Sequence, residues 1–321
     1  MKTIRYFFIC FIIINLPGFS LRVLGAAPQG IETSKIPNVI FGAMIVPYQN
    51  EVESLIWARS IRNFSGKFCA NPIWMFVPNK IENLSEAKRM KLRELGVELF
   101  PFPLAERAAR FPLAAKPFAA AAAEKLASGK CEFLAWTDPD HMIINEPNDF
   151  ILPVGKNLGY RPVHHINVGS VFTETLTDYW ALIYKDCHVP SERVFPMRAN
   201  VEDIDIRPYL NAGDFVVRPG RGILKLWLDN FKRLYLQPAY LELYKKVPLY
   251  KLFFHQAVFS ATVLSEMTKD EICELPMTYN YPLNLFINIP VEKRIKKLNE
   301  LIAPRYDLFA QPQHWNALIE I

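Results

Sequence analysis

The chain has 321 residues, 51% of them apolar and 21% charged, with 25 prolines and 13 glycines. These proportions describe a globular protein and exclude a disordered chain, a collagen-like repeat and a coiled coil. Three of the 37 basic residues and none of the 32 acidic ones fall in the first 27 positions, which leaves the remainder nearly neutral, at about +2, with no charge footprint for nucleic acid.

Lys2 and Arg5 precede an apolar run over residues 6–16, interrupted only by Asn15. Pro17 and Gly18 end that run, and Gly25-Ala26-Ala27 supplies small residues for cleavage. Charged start, short apolar middle and small-residue exit read as a secretory signal peptide cut after Ala27. The run falls short of the roughly 20 apolar residues that span a bilayer; left uncleaved, it would anchor the protein to a membrane. The expected organisation is a signal peptide over 1–27, a polar linker over 28–37 and a single domain over 38–321. The protein is then exported to a periplasm, to the exterior or into a secretory-pathway lumen. Export leaves Cys69, Cys131, Cys187 and Cys273, an even number. Buried thiols and one or two disulfides are both open readings, and no C-x-x-C pair suggests a zinc or thioredoxin-like centre.

In chain order, residues 39–46 (VIFGAMIV) form an apolar run suited to a strand covered on both faces. A helix follows over 51–64, a strand over 73–77, and a helix from Ser85-Glu86 that Gly96 stops. Residues 97–102 are a third strand, 114–127 an alanine-rich helix and 131–137 (CEFLAWT) a fourth strand. Strands alternating with helices at a spacing of about 30 residues predict βαβ units and a mostly parallel sheet. Beyond Pro147 the alternation loosens. Short strands are expected over 156–164, 168–172, near Phe215-Val216-Val217 and over 272–275, with helices over 222–236 and 248–267.

The sharpest local feature is Trp136-Thr137-Asp138-Pro139-Asp140, immediately after the fourth strand. Two carboxylates two positions apart at a strand's carboxyl end face the crevice where open α/β sheets bind ligands. They are suited to a hard divalent cation with coordination positions left for a diphosphate. Asp-Pro-Asp is equally good β-turn chemistry.

Lys116-Pro117-Phe118, a helix, and then the strand ending in Asp138-Pro139-Asp140-His141 resemble the core of nucleotide-sugar glycosyltransferases of the GT-A fold, in their glycogenin-like and bacterial galactosyltransferase-like members. Leu210-Asn211-Ala212-Gly213-Asp214 is similar to their Asn-(Ser/Ala)-Gly segment, His255-Gln256 to their Asp-Gln, and Leu275-Pro276 with Tyr279-Asn280 to a late segment. The resemblance covers about residues 39–284.

It implies an α/β, GT-A-like fold with a mixed, mostly parallel central sheet flanked by helices. It implies a metal-dependent transferase acting on a nucleoside-diphosphate sugar donor and a hydroxyl-bearing acceptor, which is a glycan, lipid or protein. Asp138 and Asp140 would hold Mn²⁺ or Mg²⁺ against the diphosphate, to offset charge on the leaving group. Lys116 would add a cation there. Pro47, Tyr48 and Gln49 would cradle the nucleoside, and Asn211 and Gly213 would flank the sugar, where glycine permits close backbone approach. Asp214 would be an acceptor-side base or an exposed turn residue, and Gln256 a sugar or acceptor contact. The third metal ligand implied is a late histidine. His314 stands nearest that place, with His164, His165 and His255 as alternatives. Two further readings remain: a non-catalytic sugar- or nucleotide-binding protein on the same fold, and a hydrolase pairing Asp138 with Asp203 or Asp205.

Overall fold

β1 (Val39–Met44) lies inside a seven-stranded sheet, and its residues explain why. No position is polar, and alternate side chains serve opposite faces. Ile40 joins one apolar cluster with Trp74, Phe76, Leu134 and Trp136. Val39, Phe41 and Ala43 join another with Ile73, Met75, Phe133 and Ala135. A Cβ on Gly42 would come within 3.1 Å of the Trp136 ring, so the missing side chain is the space that Trp136 fills.

The structure is a computed structural model that describes residues 39–306, all within one unit of the chain. The expected signal peptide, the linker and His314 lie outside the described residues. After β1 come α1 (Glu51–Phe64), β2 (Ile73–Pro78), α2 (Glu86–Glu94), β3 (Val97–Phe102), the single turn α3 (Glu106–Ala109), α4 (Ala115–Ala127) and β4 (Phe133–Thr137). These match the predicted alternation closely. The second part contains β5 (Leu158–Pro162), α5 (Asp178–Asp186), β6 (Met197–Arg198), β7 (Asp205–Ile206), β8 (Leu210–Val217), α6 (Ile223–Leu234) and α7 (Pro238–Lys246). It ends with α8 (Pro248–Leu252), α9 (Phe254–Glu266), β9 (Ile272–Glu274), β10 (Tyr279–Pro282) and β11 (Ala303–Arg305).

The strand order is β3-β2-β1-β4-β8-β5-β9. Strands β3, β2, β1 and β4 are parallel, β8 runs antiparallel to both neighbours, and β9 is parallel to β5. This is the mixed, mostly parallel sheet expected, with α1 packing on one face and α4, α6 and α9 on the other.

Two expectations need correction. Residues 168–172 are not a strand; Val171 makes one isolated bridge to Ile206. The helix expected over 248–267 is divided at Phe253, whose backbone leaves helical geometry. Of the two readings left open for the four cysteines, the structure has free thiols, with Cys69 exposed and Cys187 buried. Among the described residues no helix is long and apolar enough to cross a membrane.

The helical layer has its own anchor. Ala119, Ala120, Ala123 and Ala127 are buried, and their small side chains let α4 lie close to the sheet and α6. Helix α6 begins after Gly222, which has no side chain to cap it. Glu124 of α4 takes that role: its carboxylate accepts the N–H groups of Leu224 at 3.0 Å and Lys225 at 2.8 Å. Burial pushes the Glu124 carboxyl up to about 7 against the pull of those N–H groups. Glu124→Ala strands buried donors and is expected to cost about 1–3 kcal/mol in urea denaturation; wild-type stability in the variant would contradict the cap.

Candidate active site

The two sharpest sequence motifs meet because β8 is reversed. Thr137, the last residue of β4, stands opposite Asp214. The Asp138 N–H then donates to the Gly213 carbonyl at 2.7 Å. A Cβ on Gly213 would lie 2.6 Å from Asp138 Oδ2 and 3.0 Å from Asn211 Oδ1, so this glycine is required for the approach itself. Asn211 Oδ1 accepts the Gly213 N–H at 2.8 Å, and Gln256 Oε1, from α9, accepts the Ala212 N–H at 3.0 Å. Gln256 therefore fixes the backbone of the Asn-Ala-Gly segment.

Each carboxylate of the Asp-Pro-Asp loop already holds a cation. Lys116, in the first turn of α4, pairs with Asp138 Oδ2. Arg305 of β11 brings Nε and Nη2 each to 2.9 Å from Asp140 Oδ2. Burial alone would raise the Asp140 carboxyl, but Arg305, followed by His141, outweighs it and holds the group well below the usual carboxylate range.

His141 lies behind the loop, fully buried. Its Nδ1 is 2.9 Å from the Asp138 carbonyl and 3.0 Å from Asp140 Oδ1, and its Nε2 is 2.9 Å from Asn280 Oδ1. Both ring nitrogens face oxygen, the arrangement that suits an imidazolium. Burial opposes that charge, but the Asp140 contact prevails and moves His141 up to about 8. Asn280, in left-handed conformation at φ 49°, also faces His164 Nε2 at 3.2 Å. His164 is held neutral by burial, which lowers its pKa well below the ordinary value.

Asp214 completes this buried cluster. It has no exposed surface, and among the described residues neither carboxylate oxygen has a side-chain hydrogen-bond partner. Burial pushes it up to about 7 against the opposing pull of His141 and Arg161. It is thus neither an exposed turn residue nor open to an acceptor. Arg161 is itself anchored by Glu274 and the Leu275 carbonyl, both at 2.7 Å.

The loop after β1 leaves the sheet at the same carboxyl end, because β1 and β4 are adjacent and parallel. Asn50 braces it, accepting the Val46 N–H at 2.7 Å and donating to the Met44 carbonyl at 3.1 Å. Tyr48, beside Pro47 and Gln49, has a positive φ of 64° and a side chain 92% exposed.

The remaining sequence candidates are tied elsewhere. Asp203 and Asp205 both pair with Arg198, at 2.7 and 3.0 Å, beside the β6–β7 hairpin. His165 pairs with Glu202 at 3.0 Å. His255 is buried, and burial with nearby Lys116 keeps it neutral. Among the described residues no three His, Cys, Asp or Glu side chains gather as a metal-holding group. A groove of about 930 Å³ between α4 and α6 touches none of the candidate residues. His141, Arg161, Asn280 and Arg305 were not singled out by sequence. His141 and Asn280 sit within quoted motifs and were legible by adjacency, whereas Arg161 and Arg305 carry no local signal.

The chain matches the Rhodobacterales glycosyltransferase domain family over residues 43–248 and belongs to it. No curated protein matches the sequence. Among solved structures, the chain is similar to the galactosyltransferase LgtC in complex with donor and acceptor sugar analogues (16% identity, 85% of this chain and 88% of that one, TM-score 0.46). It is also similar to mouse xyloside xylosyltransferase 1 (11% identity, 84% and 98%, TM-score 0.47). The bifunctional glycosyltransferase WbbM overlaps with 13% identity, covering 88% of this chain and 47% of that one, at a TM-score of 0.49.

Asp214 gives a pH signature. Its carboxyl binds a proton more tightly folded, at about 7, than unfolded, at 3.8. Its contribution is therefore fully present below about pH 4 and is lost as pH rises through 7. Asp214→Asn removes this loss, so the variant should gain on wild type by on the order of 2–4 kcal/mol between pH 4 and 7. A stability difference that stays flat with pH, in parallel urea titrations, would contradict the buried carboxyl.

Proposed function

We propose that this glycosyltransferase moves a sugar from a nucleoside-diphosphate sugar to a hydroxyl group on a glycan, lipid or protein acceptor. The observation that supports this most is the meeting of Lys116, Asp138 and the Asn211–Gly213 backbone at the carboxyl edge of the sheet, the edge at which open α/β folds take ligands. The departing nucleoside diphosphate gains negative charge as the glycosidic bond breaks, and the Lys116 ammonium lies where it would offset that charge. Asn211 brings amide donors suited to sugar hydroxyls. Tyr48 offers an exposed aromatic face for the base on the loop after β1.

Gln256 acts as a positioning residue through the Ala212 N–H, and Asp214 sets the charge around His141 instead of meeting the acceptor. A divalent ion on Asp138 and Asp140, which the sequence resemblance implies, fits these residues poorly, because Lys116 engages Asp138 while Arg305 and His141 face the two oxygens of Asp140. The transfer is therefore written without it. Export directed by residues 1–27, with anchoring if that segment is retained, belongs to the same proposal.

Incubation of the purified chain with UDP-, GDP-, CDP- and dTDP-linked sugars should release nucleoside diphosphate from one donor. Asp138→Asn and Lys116→Ala should each lower kcat/KM by about a hundredfold or more. Binding of a donor without any release, with and without added sugar acceptors, would favour the non-catalytic reading. Neither binding nor release by folded protein would overturn the proposal.

A further inference from the structure

Arg305 is delivered to Asp140 by backbone as well as by side chain. β11 lies against the loop that follows Asp138: Met142 N–H donates to the Pro304 carbonyl at 3.0 Å, and Ile144 N–H to the Ile302 carbonyl at 2.9 Å. The Tyr306 N–H donates to the Asp140 carbonyl at 3.0 Å, and the Tyr306 hydroxyl to the Pro139 carbonyl at 3.3 Å. The guanidinium is thus held over Asp140 from both sides in sequence, and is not a surface side chain in passing contact.

Both ion pairs keep part of their side-chain surface exposed. The side chains of Lys116 and Asp138 are 14% and 13% exposed, and those of Arg305 and Asp140 are 21% and 22% exposed. They are sheltered enough to be ordered and exposed enough to be reached. Lys116 holds Asp138 Oδ2, and at Asp140 Arg305 takes Oδ2 while His141 faces Oδ1, so a divalent ion ligated by Asp140 would have to displace one of them and lie beside Lys116. Arginine does not surrender its proton to make room, and a guanidinium left beside a newly bound divalent ion would repel it. The same two groups are the cations of choice for phosphate, arginine through its planar fork and lysine as a point charge.

We propose that this chain holds the diphosphate of its donor with Lys116 and Arg305, in place of a divalent ion on Asp138 and Asp140. The inference rests on the transferase reading above. Asp138 and Asp140 then serve to aim the two cations at the crevice. Each cation keeps N–H donors beyond those spent on its carboxylate, and these would hydrogen-bond the diphosphate oxygens. Binding becomes independent of chelators and dependent on a residue of β11 that a two-carboxylate motif does not contain.

Calorimetry on the full chain, with UDP, GDP, CDP, ADP and inorganic pyrophosphate as probes, tests this in excess EDTA and again in Mn²⁺. The nucleoside diphosphate that binds should do so in EDTA with an affinity within about threefold of its value in Mn²⁺. Arg305→Ala should weaken it in EDTA by about tenfold or more, and Arg305→Lys by less. Should Arg305→Ala fail to fold by circular dichroism, Lys116→Ala carries the same test. Binding seen only with Mn²⁺ would overturn the inference and leave the transferase reading standing. Unchanged affinity in EDTA for both alanine variants would also overturn it. No binding of any probe in either condition, by folded protein, would overturn both.

Discussion

The antiparallel pairing of β4 with β8, with Thr137 opposite Asp214, is the constraint on which the site depends. Parallel strands deliver their carboxyl ends to one edge of a sheet, and with them the Asp138–Asp140 loop and the loop bearing Tyr48. A parallel β8 would bring its carboxyl end, at Val217, to that edge. Reversed, it brings its beginning, and Asn211, Ala212 and Gly213 lie against Asp138. The register is as important as the direction. A slip of one residue exchanges the two faces of a strand. It would set the Asp214 carboxylate where Gly213 now leaves room for Asp138, placing like charges together. The apolar faces guard against this, because Phe215 and Val217 pack on one side of the sheet and Val216 on the other.

A second consequence concerns charge. The loop after β4 gathers Asp138 and Asp140, and the buried Asp214 stands behind them. Left alone, these carboxyls would repel one another and resist burial. The fold answers with cations from separate parts of the chain: Lys116 from the helix before β4, His141 from the loop itself, Arg161 from β5 and Arg305 from β11. Asn280 joins His141 to His164 across the space between the loop and β5. The site is therefore a network of alternating charge, closed by β11.

Much of the frame was legible in sequence. The unbroken apolar run of β1, the Gly96 stop after α2 and the spacing of strands and helices up to β4 state a buried parallel sheet in local terms. The same rules failed where tertiary contacts decide. Residues 168–172 have strand composition but meet only a single bridging partner, Ile206. Helix α5, with Tyr179, Trp180 and Tyr184, and helix α7, with Tyr240 and Tyr244, were not among the expected elements. The Asp-Pro-Asp loop and the Asn-Ala-Gly-Asp segment were both visible as motifs. Their meeting was not, since it comes from strand reversal, and the burial of Asp214 follows from that meeting. Arg305 was least accessible of all: it lies 165 residues from Asp140, in a short strand with no motif around it.

Hydrogen–deuterium exchange of the chain with and without a bound nucleoside diphosphate tests the central claim most directly, that this reversed-strand edge is the donor site. The account predicts ligand protection in peptides spanning 137–144, 210–214 and 303–306, with the α4–α6 groove unchanged. Protection confined to peptides over 118–125 and 219–235, with none at the Asp138 loop, would place the ligand in that groove and contradict the account.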